Sequence, residues 1–296
     1  MQKHFQTGLL LAIVSTALFS FKAIFIKLAY TQGVDTVTLL SLRMLVSLPF
    51  YLIALVWALR QTSLTLPSGS ELASIMGLGF IGYYLASWMD MQSLNYISAQ
   101  LARLTLYTYP IMTTLLGWLL LREAVTPRIV MALVLTYCGV LLLYAYEANQ
   151  LGGSQVNLGM TLVAGAALVF AFYVVLSKRL IGKFGSALFT SIVMLTATVC
   201  ISAHFAFTHS VNDLFVSPTA WFYAILLGIV STVIPSFMLS EAIHRIGAGR
   251  TSIVGTFGPV ITVLLSVMLL GEAFGWQHLA GMLLVISGVS LLGKKT

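Results

Sequence analysis

The sequence predicts an all-α integral membrane protein: ten transmembrane helices forming two five-helix repeats of inverted topology. Three observations carry this expectation. Of the 296 residues, 59% are hydrophobic and only 8% are charged, against roughly 25% charged in soluble domains. The apolar stretches recur along the whole chain at the length that crosses a bilayer, about 20 residues each. The second half also repeats the first. Residues 95–143 align with 244–292 without a gap at an offset of 149, with fifteen of 49 positions identical.

The expected spans are 7–30, 36–59, 71–94, 97–121, 126–147, 157–181, 187–208, 218–241, 247–270 and 275–292. The first begins after Lys3 and His4 and resembles a signal peptide. No small-residue cleavage site follows it, and Lys22 and Lys27 stand where a cut would fall, so it is read as a retained helix. The break at Asn95-Tyr96-Ile97-Ser98 is required because 71–121 is too long for one span. Residues 148–156 are expected to be an external linker between a first repeat over 1–147 and a second over 157–296.

Charge tests the count. Lys3, Arg60, Arg122, Arg128, Lys178, Arg179, Lys183, Arg245, Arg250, Lys294 and Lys295 fall on one side, and the loops 31–35, 95–96, 148–156, 209–217 and 271–274 contain no Lys or Arg. Basic loops stay in the cytoplasm, so both termini are expected there. One missed span would scramble this partition. Trp57 and Trp118 near inner helix ends, with Trp88, Trp221 and Trp276 near outer ends, fit interfacial belts. The net charge of +7 thus reflects topology and calls for no nucleic acid. Cys138 and Cys200 lie in apolar segments and are read as packing residues, not as a disulfide or metal site.

The repeat pairs Pro110 with Pro259, Thr113 with Thr262, Glu123-Ala124 with Glu272-Ala273 and Gly139-Val140 with Gly288-Val289. Upstream, Gly8, Phe21 and Lys27 pair with Gly159, Phe172 and Lys178 at an offset of 151. Five helices per repeat is an odd number, so the second copy enters the membrane from the opposite side. That arrangement is common in secondary transporters, where two similar halves exchange conformations. The pattern of proline, apolar run, Glu-Ala and a glycine in the next helix resembles the paired EamA domains of the drug/metabolite transporter superfamily, over about 8–145 and 157–292. The resemblance implies ten helices, cytoplasmic termini and movement of small metabolites. The first half departs from it by reading Arg122-Glu123 where the second has Gly271-Glu272.

Charges inside spans mark the candidate site, because each costs about 2.5–3.5 kcal/mol at bilayer centre and so faces protein or water. At about 1.5 Å per residue, Lys22, Arg43, Arg103 and Asp90 lie roughly 5–11 Å outside the midplane on four helices. Their repeat counterparts are uncharged: Tyr173, Val193 and Ser252 match the three bases. Two readings stand side by side: a structural network in which Asp90 bridges Arg43 or Arg103, and a surplus of positive charge that holds a substrate carboxylate. Tyr83 shares a face with Asp90, and Tyr107 one with Arg103. Both are candidates for the site wall, against a plain packing role. Lys27, near a helix end, is expected to snorkel. Pro110, Pro235, Gly255 and Pro259, with Pro49, are candidate kinks or gating points. Glu123 and Glu272, at helix ends, are read as capping or loop-fixing. Gly77, Gly79 and Gly82 suit close helix contact. His204, His209, His244 and His278 show no ligand spacing, and no cofactor, metal or phosphate loop is expected.

These features imply a secondary transporter of a small metabolite, an amino acid or organic acid being the preferred substrate, in a bacterial inner membrane. A polytopic enzyme acting on lipid-linked substrates is the alternative; it needs paired acids, a His cluster or a metal motif, none of which the sequence contains. The expected partners are a small-molecule substrate and the lipid bilayer.

Overall fold

The computed structural model describes residues 2–60, 66–121, 127–246, 254–255 and 257–293, and all regular structure among them is helical. In chain order the helices are α1 (Gln2–Tyr30), α2 (Thr36–Leu59), α3 (Gly69–Gly79), α4 (Ala86–Ser93), α5 (Ala99–Leu106), α6 (Tyr109–Leu121), α7 (Pro127–Leu151), α8 (Gly153–Phe184) and α9 (Ser186–Thr208). They continue with α10 (Pro218–Ile225), α11 (Ile234–Ile246), α12 (Gly258–Leu270) and α13 (Trp276–Gly293). Widened π turns, Phe80–Leu85 and Leu226–Val233, join α3 to α4 and α10 to α11, so each of these pairs is one continuous rod. Seven of the resulting helical segments are long and apolar enough to cross a membrane, and α12 and α13 are shorter apolar helices. Large apolar side chains such as Met268, Val199, Leu119 and Leu264 stand more than half exposed. Exposure on this scale is untenable in water and natural against lipid.

Local chemistry sets the helix starts. Asp35 caps α2, its carboxylate accepting from the amides of Val37 (2.8 Å) and Thr38 (3.1 Å). Ser68 and Glu71 form a capping box at α3, Ser98 caps α5 through the Leu101 amide, and Ser217 precedes Pro218 at the first turn of α10.

Several expectations change here. The fourth span is not continuous: it breaks at Tyr107–Thr108 into α5 and α6. Pro110 is therefore the second residue of a new helix, where its missing N–H removes no intrahelical bond, and Pro259 has the same place in α12. Pro235 is the second residue of α11, directly after a π segment, and so lies inside a continuous rod. Gly255 lies in the short described stretch 254–255, between residues outside the description. The expected linker 148–156 is helix on both sides of Gly152, whose φ of 89° makes the turn. Arg122, Glu123, Arg250, Ser252, Lys294 and Lys295 lie outside the described residues.

The packing has an exchange pattern. α1 packs on α11 and α12, while α8 packs on α4 and α6; α2 packs on α9, and α7 on α13. Backbones approach closely where α7 meets α13: a Cβ on Gly139 would stand 2.6 Å from the Gly281 carbonyl, and one on Gly288 2.7 Å from that of Ala132. Gly79 meets the Val193 carbonyl in the same way, Gly82 fits under the Tyr173 side chain, and Gly77 faces open space.

Contacts gather the loops at two ends. At one end Asp35 meets His209, Asn95 meets Thr36, Tyr144 meets Asn157, and Ala99 meets Glu272. At the other lie Arg60, Arg179 and the Glu71–Lys183 and Glu241–Arg245 pairs. The first is called the acidic end below, the second the basic end.

Candidate functional site

The site layer lies toward the acidic end and is built from α1, α2, α4 and α5. Asp90 is the last but three residue of α4, so its carboxylate sits just inside the membrane segment, 2% exposed. It accepts from two bases at once. Lys22 Nζ of α1 is 3.0 Å from Oδ2, and Arg103 Nη2 of α5 bonds Oδ1. Arg103 itself is 5% exposed, and the Lys22 side chain 18%. The expected depth match thus becomes contact: three of the four charged residues form one buried triad.

Arg43 stands apart from the triad. On α2, 2% exposed, it directs Nη1 to the sulfur of Met91 at 3.8 Å, a weak acceptor, and its Nε has no partner. No described carboxylate lies within salt-bridge distance of it. Asp90 bridges Lys22 and Arg103, and of the two arginines expected as its partners only Arg103 is bound. The layer holds three cations against one anion, and the surplus is concentrated where Arg43 lies beside Met91. An isolated buried charge is expensive unless something compensates it.

The aromatic candidates stand near the bases, Tyr83 by Arg43 and Tyr107 by Arg103, but pack against other rings and helices. Tyr83 packs edge-on against Tyr173 at 5.3 Å, within a run through Phe170, Tyr109 and Phe189. Tyr107, the residue at the α5–α6 break, lays its hydroxyl on Gly258 at the start of α12. Both are helix contacts in this structure, and neither has a hydrogen bond to the charged layer.

A cavity of about 400 Å³ opens at the acidic end, lined by Asp35, Trp88, Gln92, Asn95, His204 and His209 among others. None of Lys22, Arg43, Asp90 and Arg103 lines it; the cavity lies beside the Asp90 turn of α4, with Trp88 and Gln92 flanking Asp90. His204 receives or donates a bond with Tyr84 at 3.1 Å, and His209 Nε2 lies 3.2 Å from Asp35 across the mouth. Burial pushes the Asp35 carboxyl up, but the bonds from Thr38 and Val37 and the nearby His209 prevail and hold it below the usual carboxylate value. No group of three metal-ligating side chains occurs among the described residues.

Two acids tie the layer in place, Glu272, whose helix-end position suggested a cap, and Glu147, which no sequence signal singled out. Glu272 accepts from the amides of Ala99 (2.7 Å) and Gln100 (3.3 Å) at the start of α5, and lies 3.6 Å from Lys27. Glu147 accepts from the Ser98 amide at 3.0 Å and from its hydroxyl. Glu272 is the cap its position suggested, but of a helix 172 residues away. Lys27 has this acid as partner instead of snorkelling alone. Cross-chain caps carry no local motif; the only hint was the Glu-Ala pair shared by the two repeats.

An all-helical bundle with a lipid-facing apolar surface and buried charges on several helices defines a multi-pass integral membrane protein. Comparison with known proteins gives its family. The sequence pattern of the EamA-like transporter family matches twice, over 6–145 and 157–294, and the chain belongs to that family. It is similar to the uncharacterized transporter YcbK of Bacillus subtilis (strain 168), 26% identical over 98% of this chain and 94% of the relative. An uncharacterized transporter of Archaeoglobus fulgidus is 22% identical over 98% of both chains. A solved crystal structure with 18% identity superposes with a TM-score of 0.68 over 96% of this chain and 95% of its own, a likeness of fold. The protein is a membrane transporter.

Proposed function

We propose that the protein is a secondary transporter that moves a small carboxylate-bearing metabolite, such as an amino acid or organic acid, by alternating access. Its ten spans form two inverted five-helix repeats in a bacterial inner membrane, with both termini and the basic end in the cytoplasm. The exchange pattern of packing supports this: renumbering each span by five turns the α1 contacts with α11 and α12 into the α8 contacts with α4 and α6. The two π segments lie in the third span of each half, and the two helix breaks precede Pro110 and Pro259 alike. The concentration of loop Lys and Arg on one side of the expected spans supports the orientation.

The observation that carries the substrate class is Arg43, a buried guanidinium without a carboxylate, next to a triad that already uses Asp90. A carboxylate is the planar anion that a guanidinium holds with two bonds. Lys22, the most exposed member, is the base best able to leave Asp90 and share that anion. The test is a binding screen on purified protein using metabolites paired with their amides. Acids should raise the melting temperature and amides should not, and Arg43→Gln should remove the difference. Equal stabilisation by acid and amide, or a response unchanged in Arg43→Gln, would remove the carboxylate from the account.

A further inference from the structure

Glu272 sits in the turn between α12 and α13, in the second half, yet its carboxylate serves only the first half. It caps α5 by two amides, one helical turn before Arg103. It also reaches Lys27 on α1, five residues beyond Lys22. One side chain therefore grips both helices that carry the bases on Asp90. Next to it, the Gln100 side-chain amide donates to the Ala273 carbonyl at 3.1 Å, a second bond between the same turn and the same helix start. α5 is short, Ala99–Leu106, and is detached from α6 at Tyr107, so it can tilt without dragging a full span.

The geometry points to Glu272 as a releasable latch at the acidic end: bound to α5 and Lys27 it keeps the Asp90 layer closed to that side and Arg103 and Lys22 on Asp90, and its release lets the layer open there. It is a positioning residue, acting through α5 and α1. The latch rests on the alternating-access reading, because only movement of one half against the other breaks contacts between halves at one end.

The test needs no identified substrate. In a background with Cys138→Ala and Cys200→Ala, Ser87→Cys places a thiol one turn deeper than Asp90 on the same face of α4, buried in this structure. Its reaction with an impermeant methanethiosulfonate added from the acidic side of proteoliposomes reports opening. Glu272→Ala should raise that rate by about tenfold or more, the ratio expected for losing bonds to a charged acceptor. Glu272→Gln, which keeps an acceptor oxygen but not the charge, should fall between. In a protein with Glu272 intact, bridging Gln100→Cys to Ala273→Cys with a short reducible thiol crosslinker should bring labelling to background, and reduction should restore it. The crosslink arm keeps the question answerable if Glu272→Ala folds poorly, since general loosening cannot make a crosslink close the site. Labelling that ignores both Glu272 and the crosslink overturns the latch and leaves alternating access standing. A thiol protected from both sides in every background removes both.

Discussion

Arg43 and Asp90 are opposite cases of one rule. A buried charge that has lost its partner costs far more than a pair removed together. Asp90→Asn leaves Lys22 and Arg103 buried without their shared anion, and should lower stability by about 3–5 kcal/mol, read as a large fall in melting temperature. Adding Lys22→Met should recover part of it. Arg43 has no such acid to strand, so Arg43→Met should leave the melting temperature unchanged or raise it while acid binding disappears. A destabilised Arg43→Met would show that this residue holds the fold. The Asp35 carboxyl, depressed in the folded chain, gives a pH effect of known sign. Its contribution is complete above the ordinary carboxylate value and is lost as pH falls through its lower folded value. An acid melting series should therefore show a loss of stability at low pH that is absent from Asp35→Asn, whose amide oxygen still caps the helix but does not titrate. At this scale the sequence revealed the charged layer, because charges in apolar spans stand out. It did not reveal who pairs with whom. Rotation of each helix decides whether Asp90 meets Arg43 or Arg103, and depth alone does not contain it.

Helices were legible where composition changes sharply and illegible where only the hydrogen-bond ladder changes. Asp35, Ser68 and Ser217 mark their helix starts with polar side chains that any reading of the chain can find. The π segments at Phe80–Leu85 and Leu226–Val233 shift the ladder by one residue inside apolar runs, leaving the pattern intact. The break at Tyr107–Thr108 was hidden for the same reason, and Pro110 suggested a kink two residues too late. That break has a mechanical partner in Gly258, where a Cβ would collide with the Tyr107 hydroxyl. Gly258→Ala should cost about 1–3 kcal/mol as an overpacked contact. Tyr107→Phe in the same chain should restore only part, because Cζ remains 2.9 Å from the new methyl. Thermal melts of the two single variants and the double settle it, and full additivity would mean that the two residues do not touch in the folded protein.

Across the whole molecule, repetition was the strongest message in the chain. The gapless match of 95–143 with 244–292 relates α6 to α12 and α7 to α13, and the pairing of Gly8, Phe21 and Lys27 with Gly159, Phe172 and Lys178 relates α1 to α8, in line with the contacts α1 makes with α12 and α8 with α6. The deviations between halves were as informative: Lys22, Arg43 and Arg103 have no charged counterparts in the second copy. The proposed orientation rests on the basic end. Cysteines at Ser68 and Asn149 should react with an impermeant reagent from opposite sides of the membrane, and reaction from the same side would break the ten-span order. The claim at the centre is that this bundle carries carboxylates through the Arg43–Lys22 layer. Counterflow into proteoliposomes containing only this protein tests it most directly, with a panel of amino and organic acids measured beside their amides. The account predicts exchange of at least one acid, no exchange of its amide, and loss of flux in Arg43→Gln with the protein still folded. Exchange of acid and amide alike, or undiminished flux in Arg43→Gln, would contradict it.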